Sequence, residues 1–224
     1  MQNMTNSNDI TTLKSRIEVA KIRLESANDK SSTSSNINSN SKIIIRQANE
    51  LDIRDIKALV SDVFQTYMEA YPTVKKFMKK SISKLPQDIN NNDNNNNSNK
   101  NNFWVAEVVD DKNRDCSIIG CVGLRITYNN TSIGEIIHTC VAPSQRGKGV
   151  GKMLLNHVIA YAHSNRSIRS LHLSVMSFLK SARSLYTKVG FLVNDDDDDD
   201  DNSHNKKSNN DECYIVHMKL DLNI

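Results

Sequence analysis

The stretch RGKGVG at 146–151 carries the clearest chemical signature in this 224-residue chain. It follows an apolar, strand-like run ending at Pro143 and precedes an amphipathic run starting near Gly151. Glycines there let the backbone come close to a ligand, and the first turn of a following helix presents N–H groups that its own carbonyls do not satisfy. That combination suits a pyrophosphate, and Arg146 and Lys148 add positive charge toward it. Two other phosphate loops are excluded by spacing. A P-loop has four residues between its glycine and the Gly-Lys pair, then Ser or Thr; here Gly147 and Gly151 enclose three, and Met153 follows Lys152. The dinucleotide pattern G-x-G-x-x-G fails because Lys152 stands at its third glycine. What remains is R-x-x-G-x-G, with Gly147, Gly149, Val150 and Gly151 around the turn.

The elements that must position this loop read as a mixed α/β domain over 42–224, ordered strand, two helices, three strands, helix, strand, helix, strand. Segment 42–48 (KIIIRQA) is a strand by its isoleucines, and Glu50, Leu51 and Asp52 open a helix with acidic residues at its N-terminus. Ile53, Ile56, Leu59, Val60, Val63, Phe64, Tyr67 and Met68 then fall at helical spacing. A second, more basic helix is expected over 72–85. Segments 103–109 (FWVAEVV), 117–127 (SIIGCVGLRIT) and 135–141 (EIIHTCV) read as three strands. A helix over 150–162, a strand over 170–176, a helix over 177–189 stopped by Gly190, and a strand over 212–220 complete the order.

Low complexity frames this domain. Residues 1–41 are too polar to bury a core, although Ile10, Leu13, Ile17, Ala20, Leu24 and Ala27 form a heptad-like seam. The seam is shorter than a credible coiled coil, so a docking helix and a monomeric or weakly oligomeric protein are expected. Two loop insertions are expected, an Asn-rich one at about 87–102 and an Asp-rich one at about 194–211. Seven aspartates at 195–201 mask a basic body: removing them from a net charge of +3 leaves +10. Lys and Arg are scattered, without a stripe or interleaved aromatics, so an anionic small ligand and not nucleic acid is expected. No window has the apolar length of a membrane span and no signal-peptide pattern opens the chain, so a cytoplasmic or nuclear protein is expected. Cys116, Cys121, Cys140 and Cys213 form no C-x-x-C pair and read as reduced thiols without metal.

These residues resemble the GCN5-related N-acetyltransferase (GNAT) superfamily, whose coenzyme loop is Q/R-x-x-G-x-G/A between a strand and a helix. Arg146, Gly149 and Gly151 match it. A second block, Ala182-x-x-Leu185-Tyr186-x-x-x-Gly190-Phe191, resembles the family's A-x-x-L-Y-x-x-x-G-F. The two blocks lie in the family's order of elements, and the resemblance extends over 42–224. Leu179 departs from the pattern, since many members carry Asn seven residues before the tyrosine. Within the superfamily, FWVAE at 103–107 with EIIHTCV at 135–141 is most similar to the camello-type branch, which usually has membrane-embedding apolar segments that this chain lacks.

The resemblance implies a largely antiparallel sheet flanked by helices, acetyl-CoA as donor, and direct attack by a primary amine of a protein or small molecule. It also implies that a backbone N–H near Cys140 or Val141 polarises the thioester and that Tyr186 protonates the departing thiolate. An amine acceptor is protonated at neutral pH, with a reference pKa of about 10.4, so a base is required. Glu135 and His138 are the candidates: relatives favour an acidic residue on this strand, whereas histidine has the better intrinsic pKa. Three residues apart, they would face opposite sides of a regular strand unless a bulge intervened. Each also has a bland reading, a satisfied core histidine and a strand-edge charge. The aspartate run reads either as an attractor for a cationic acceptor or as a tolerated insertion. A catalytically silent relative that binds acyl-CoA as a sensor or partner module is the alternative.

Overall fold

In the computed structural model, residues 41–90, 100–110, 116–127, 130–194 and 213–222 are described. The heptad-like seam, the aspartate run and most of the Asn-rich tract lie outside the described residues. Strand β1 (Ser41–Gln47) leads through a 3-10 turn (Glu50–Asp52) into helix α1 (Ile53–Ala70), and a second such turn (Pro72–Val74) leads into α2 (Lys75–Asn90). Then follow β2 (Lys100–Asp110), β3 (Cys116–Thr127), β4 (Asn130–Val141), α3 (Val150–Ser164), β5 (Ser170–Met176), α4 (Lys180–Lys188), β6 (Leu192–Val193) and β7 (Ile215–Asp221).

The strands form one sheet in the order β1-β2-β3-β4-β5-β7-β6, antiparallel everywhere except between β4 and β5. This is the mixed, largely antiparallel architecture expected from the sequence. Period-two alternation divides the side chains of the sheet between two cores. Trp104, Ala106, Val122, Leu124 and Ile136 join Leu154, Leu155 and Val158 of α3, whereas Phe103, Val105 and Cys121 join Ile56, Val60 and Val63 of α1 and Leu85 of α2.

Several boundaries differ from the sequence reading: β4 begins at Asn130, five residues early, β2 begins at Lys100 and α2 ends at Asn90, both inside the expected 87–102 insertion, and β7 begins at Ile215. Helix α2 runs to Asn90, five residues past the expected end, and carries Pro86 inside it. An interior proline removes one helical hydrogen bond and costs about 3 kcal/mol, which argues for an end near Leu85. Tertiary anchors on both sides outweigh it: Leu85 is fully buried, and Asp88 and Ile89 are buried beyond the proline. The first-turn acids act differently from a simple dipole partner. Asp52 accepts from the Asn49 N–H at 2.9 Å, and the Asn49 side chain accepts from the Leu51 N–H, a reciprocal cap. The two-residue strand β6, paired with Lys219 and Met218 of β7, is too short to read from the sequence.

Candidate active site

The parallel ladder between β4 and β5 lasts only from Ile133–Ser170 to Ile136–Leu173, while β4 continues to Val141 and β5 to Met176. The two strands therefore part over their C-terminal halves. Alternation fixes which amides face the opening. The Ala142 N–H donates to the Ile119 carbonyl of β3 at 2.9 Å. Val141, one residue earlier, directs its N–H to the other side, toward the opening, and Cys140 directs its own back to β3. Of the two expected backbone donors, Val141 has the geometry for a thioester carbonyl, and Cys140 serves the sheet.

The glycine turn lies at the same end. Gly149 caps α3 in the left-handed region, φ +82°, and no side chain caps the helix, so its first-turn N–H groups have no capping side chain. Gly147 is also left-handed, φ +76°, and a Cβ at either position would meet nothing within 4 Å. This open, donor-lined turn fits a pyrophosphate. Gly151 has a different role: a Cβ there would stand 2.8 Å from Leu185 Cδ2, so its missing side chain lets α3 approach α4. Val150 is buried in the sheet–helix core. The Lys148 ammonium donates to Gln145 Oε1 at 3.0 Å, and Arg146 Nε reaches the Val141 carbonyl at 3.4 Å, holding the arginine beside the opening.

Close contact between α3 and α4 brings Tyr186 to the same place. Its hydroxyl hydrogen-bonds the Thr139 side chain, and its ring sits edge-on to Phe191 at 6.1 Å. Burial pushes its pKa up to about 12, with proximity to Cys140 acting in the same direction and the Thr139 hydrogen bond opposing. Leu179, in place of the family's Asn, is the N-cap of α4 and makes no capping hydrogen bond; it packs against the core instead.

Between Gly123–Ile137 and Cys121–Cys140, Val122 of β3 faces two residues of β4, a β-bulge centred on His138 with φ +51°. Histidine is among the residues that tolerate this region. The extra residue inverts the alternation, for Ile136 enters one core and Cys140, four residues on, enters the other. The Cys121 thiol donates to the His138 carbonyl at 3.3 Å, tying the bulge to β3. A hydrogen bond with Cys140, aided by burial, pushes that thiol far up, so it stays protonated.

The bulge places Glu135 and His138 on the same side, under α2. His138 Nε2 is 2.7 Å from Asp88 Oδ2, and Nδ1 is 3.4 Å from Ser81 Oγ. Arg125 Nη2 donates to the other Asp88 oxygen at 3.1 Å, and its Nη1 donates to Glu135 at 2.9 Å. Burial acts to raise the Asp88 pKa, but the hydrogen bond and charge of His138, then Arg125, outweigh it and hold the carboxyl below its usual value. Solvent access separates the two candidate bases: the His138 side chain is 6% exposed and that of Glu135 43%.

Around the two candidate bases the structure adds three residues that the sequence reading does not name as candidates, Ser81, Asp88 and Arg125. Asp88 was assigned to an insertion, yet it is the lone carboxylate of α2 and lies seven residues from Ser81, on the same helical face. A single acid on a lysine-rich helix was the available signal. Among the described residues, no group of three or more His, Cys, Asp or Glu is placed to hold a metal.

The description "Acetyltransferase (GNAT) family" belongs to the family model that matches residues 60–191. Among solved structures, a GNAT-family acetyltransferase from Staphylococcus aureus Mu50 superposes with a TM-score of 0.57 at 19% identity, covering 81% of this chain and 100% of that one. The PaiA N-acetyltransferase of Thermoplasma acidophilum, solved with coenzyme A, gives 0.58 at 19% identity over 81% and 99%. A chimera of the spermidine N-acetyltransferase SpeG from Vibrio cholerae and hSSAT gives 0.53 at 22% over 80% and 95%. At these identities the likeness establishes the fold. The family match spans more than half of the chain, and the protein belongs to the acetyltransferase (GNAT) family, whose members use acetyl-CoA.

Proposed function

We propose that the protein transfers the acetyl group of acetyl-CoA to a primary amine by direct attack. The observation that carries this reading is the convergence at one opening of three groups suited to one thioester ligand: the uncapped α3 N-terminus, the outward Val141 N–H and the Tyr186 hydroxyl. Acetyl-CoA supplies the activated acyl group. Gly147, Gly149 and the first turn of α3, with Arg146 and Lys148, would hold its phosphates, and the Val141 N–H would bind the carbonyl oxygen where charge develops. Tyr186 would donate to the sulfur, and a base among Glu135 and His138 would take the proton of the ammonium. A small-molecule amine is a reasonable class to test first, because structural neighbours include a spermidine N-acetyltransferase.

The FWVAE and EIIHTCV strands favour the camello-type branch as the subgroup. The scattered Lys and Arg favour a small anionic ligand over nucleic acid, and a cytoplasmic or nuclear location is part of this proposal. Among the described residues, no helix is long and apolar enough to cross a membrane. The silent-binder alternative is favoured by the burial of Tyr186. A panel of amines, with free coenzyme thiol as the readout, tests the proposal: amine-dependent thiol release supports transfer, and coenzyme binding without it supports the silent module.

A further inference from the structure

Acetyl transfer leaves two candidate bases, and their surroundings are not equivalent. Glu135 accepts from the Arg125 guanidinium at 2.9 Å, so its carboxylate is already engaged by a cation. His138 is buried too deeply to meet an acceptor directly, but both of its ring nitrogens have partners. The partner of Nε2 is an ionised carboxylate, which only accepts, so Nε2 carries a proton, and in the neutral imidazole the Nδ1 lone pair faces the Ser81 hydroxyl. Ser81 is half-buried on α2. The order hydroxyl, imidazole, carboxylate is that of a proton relay, with the carboxylate fixing the tautomer.

We propose that Ser81, His138 and Asp88 form the base of this enzyme, with Ser81 taking the proton of the acceptor ammonium while passing its own to His138 Nδ1, and Asp88 holding the resulting imidazolium. This rests on the acetyltransfer reading above and decides a point that reading leaves open. The proton balance closes. Converting an ammonium to an amide releases two protons from nitrogen. The first crosses the relay before attack and returns to solvent through Ser81 after the product leaves. The second goes to the departing thiolate, which becomes the thiol. Ser81 forms no bond to carbon. The charged groups facing His138 among the described residues are Asp88 from α2, Arg125 from β3 through Asp88, and Glu135 from its own strand; β2 contributes the Phe103 ring at 6.0 Å.

Two readouts on the full chain test the relay. One is the tautomer of the His138 ring by 15N NMR, assigned with His138→Gln; the other is the pH dependence of amine-dependent thiol release. Asp88→Asn removes the carboxylate that holds the proton on Nε2, so the ring should lose its single Nε2–H tautomer and the rate should fall about tenfold or more. His138→Gln should lose the acidic limb and about 10²-fold in rate. Ser81→Ala should lower the rate about tenfold or more while the ring keeps its Nε2–H tautomer. A slow Asp88→Asn that keeps the Nε2–H tautomer would mark a structural role and overturn the relay, as would full activity in Ser81→Ala or an acetyl group covalently retained on Ser81. If the wild-type chain binds coenzyme but releases no thiol with any amine, the transfer reading itself fails, and the relay with it. If the wild type turns over and His138→Gln keeps its limb, the relay alone fails.

Discussion

A phenol pushed up to about 12 is a weak acid beside a thiol, whose reference pKa is about 8.5. Full proton transfer from Tyr186 to a thiolate is therefore uphill, and the hydroxyl contributes mainly as a preorganised hydrogen-bond donor to the developing charge. Tyr186→Phe should lower kcat by about 10²-fold and leave the coenzyme Kd within about twofold; an unchanged kcat would show that water serves the sulfur as well. The same burial links the residue to stability. Because the folded pKa is raised, its stabilising contribution is complete below about pH 10 and is lost as pH rises from about 10 to about 12. Over that window the wild type should lose about 1.4 kcal/mol per pH unit from this group, and the stability curve of Tyr186→Phe should lack that component in denaturant titrations.

Two glycines of one turn serve different elements, and substitution can separate them. At Gly149 a side chain would enter open space but must adopt φ +82°, at a cost of about 1–2 kcal/mol. Gly149→Ala should therefore weaken coenzyme binding in calorimetry beyond what its small loss of stability explains. At Gly151 the obstacle is Leu185, so Gly151→Val should lower the unfolding free energy in urea titrations by about 1–3 kcal/mol, through separation of α3 from α4. An equal fall in coenzyme affinity for both variants, with no difference in stability, would contradict this division. The motif showed where a phosphate loop stands, but its spacing could not tell a ligand glycine from a packing glycine. Strand β5, alternating from Ser170 to Met176, was legible to the residue because local sequence decides it. The end of α2 was not, because Asp88 and Ile89 are held by contacts far away in the chain, nor was the bulge that turns His138 to the side of Glu135. Those features arise from pairing across β3 and from packing on α2, which no local window contains.

At the scale of the whole fold, a buried ion cluster ties the edge of the sheet to the first helix. Arg46 of β1 donates through Nε and Nη2 to Glu107 of β2, and through Nη1 and Nη2 to Asp52 at the entry to α1. Burial disfavours the guanidinium charge, but the two carboxylates outweigh it and raise its pKa further above its usual value. Arg46→Met removes the cation that serves both acids and should cost about 3–5 kcal/mol in chemical denaturation, whereas replacing all three residues by apolar ones of similar size should recover most of the loss. A single variant as stable as the wild type would show that the cluster is a surface feature. The cluster lies apart from the opening between β4 and β5, so a folded Arg46→Met chain should keep its coenzyme affinity. Incubating the full chain with acetyl-CoA and a panel of primary amines, while following free thiol and the mass of each amine, shows whether this opening transfers an acetyl group. Thiol should be released only when an amine is present, matched by one acetyl group gained on that amine; coenzyme bound with no amine-dependent thiol across the panel would rule acetyl transfer out.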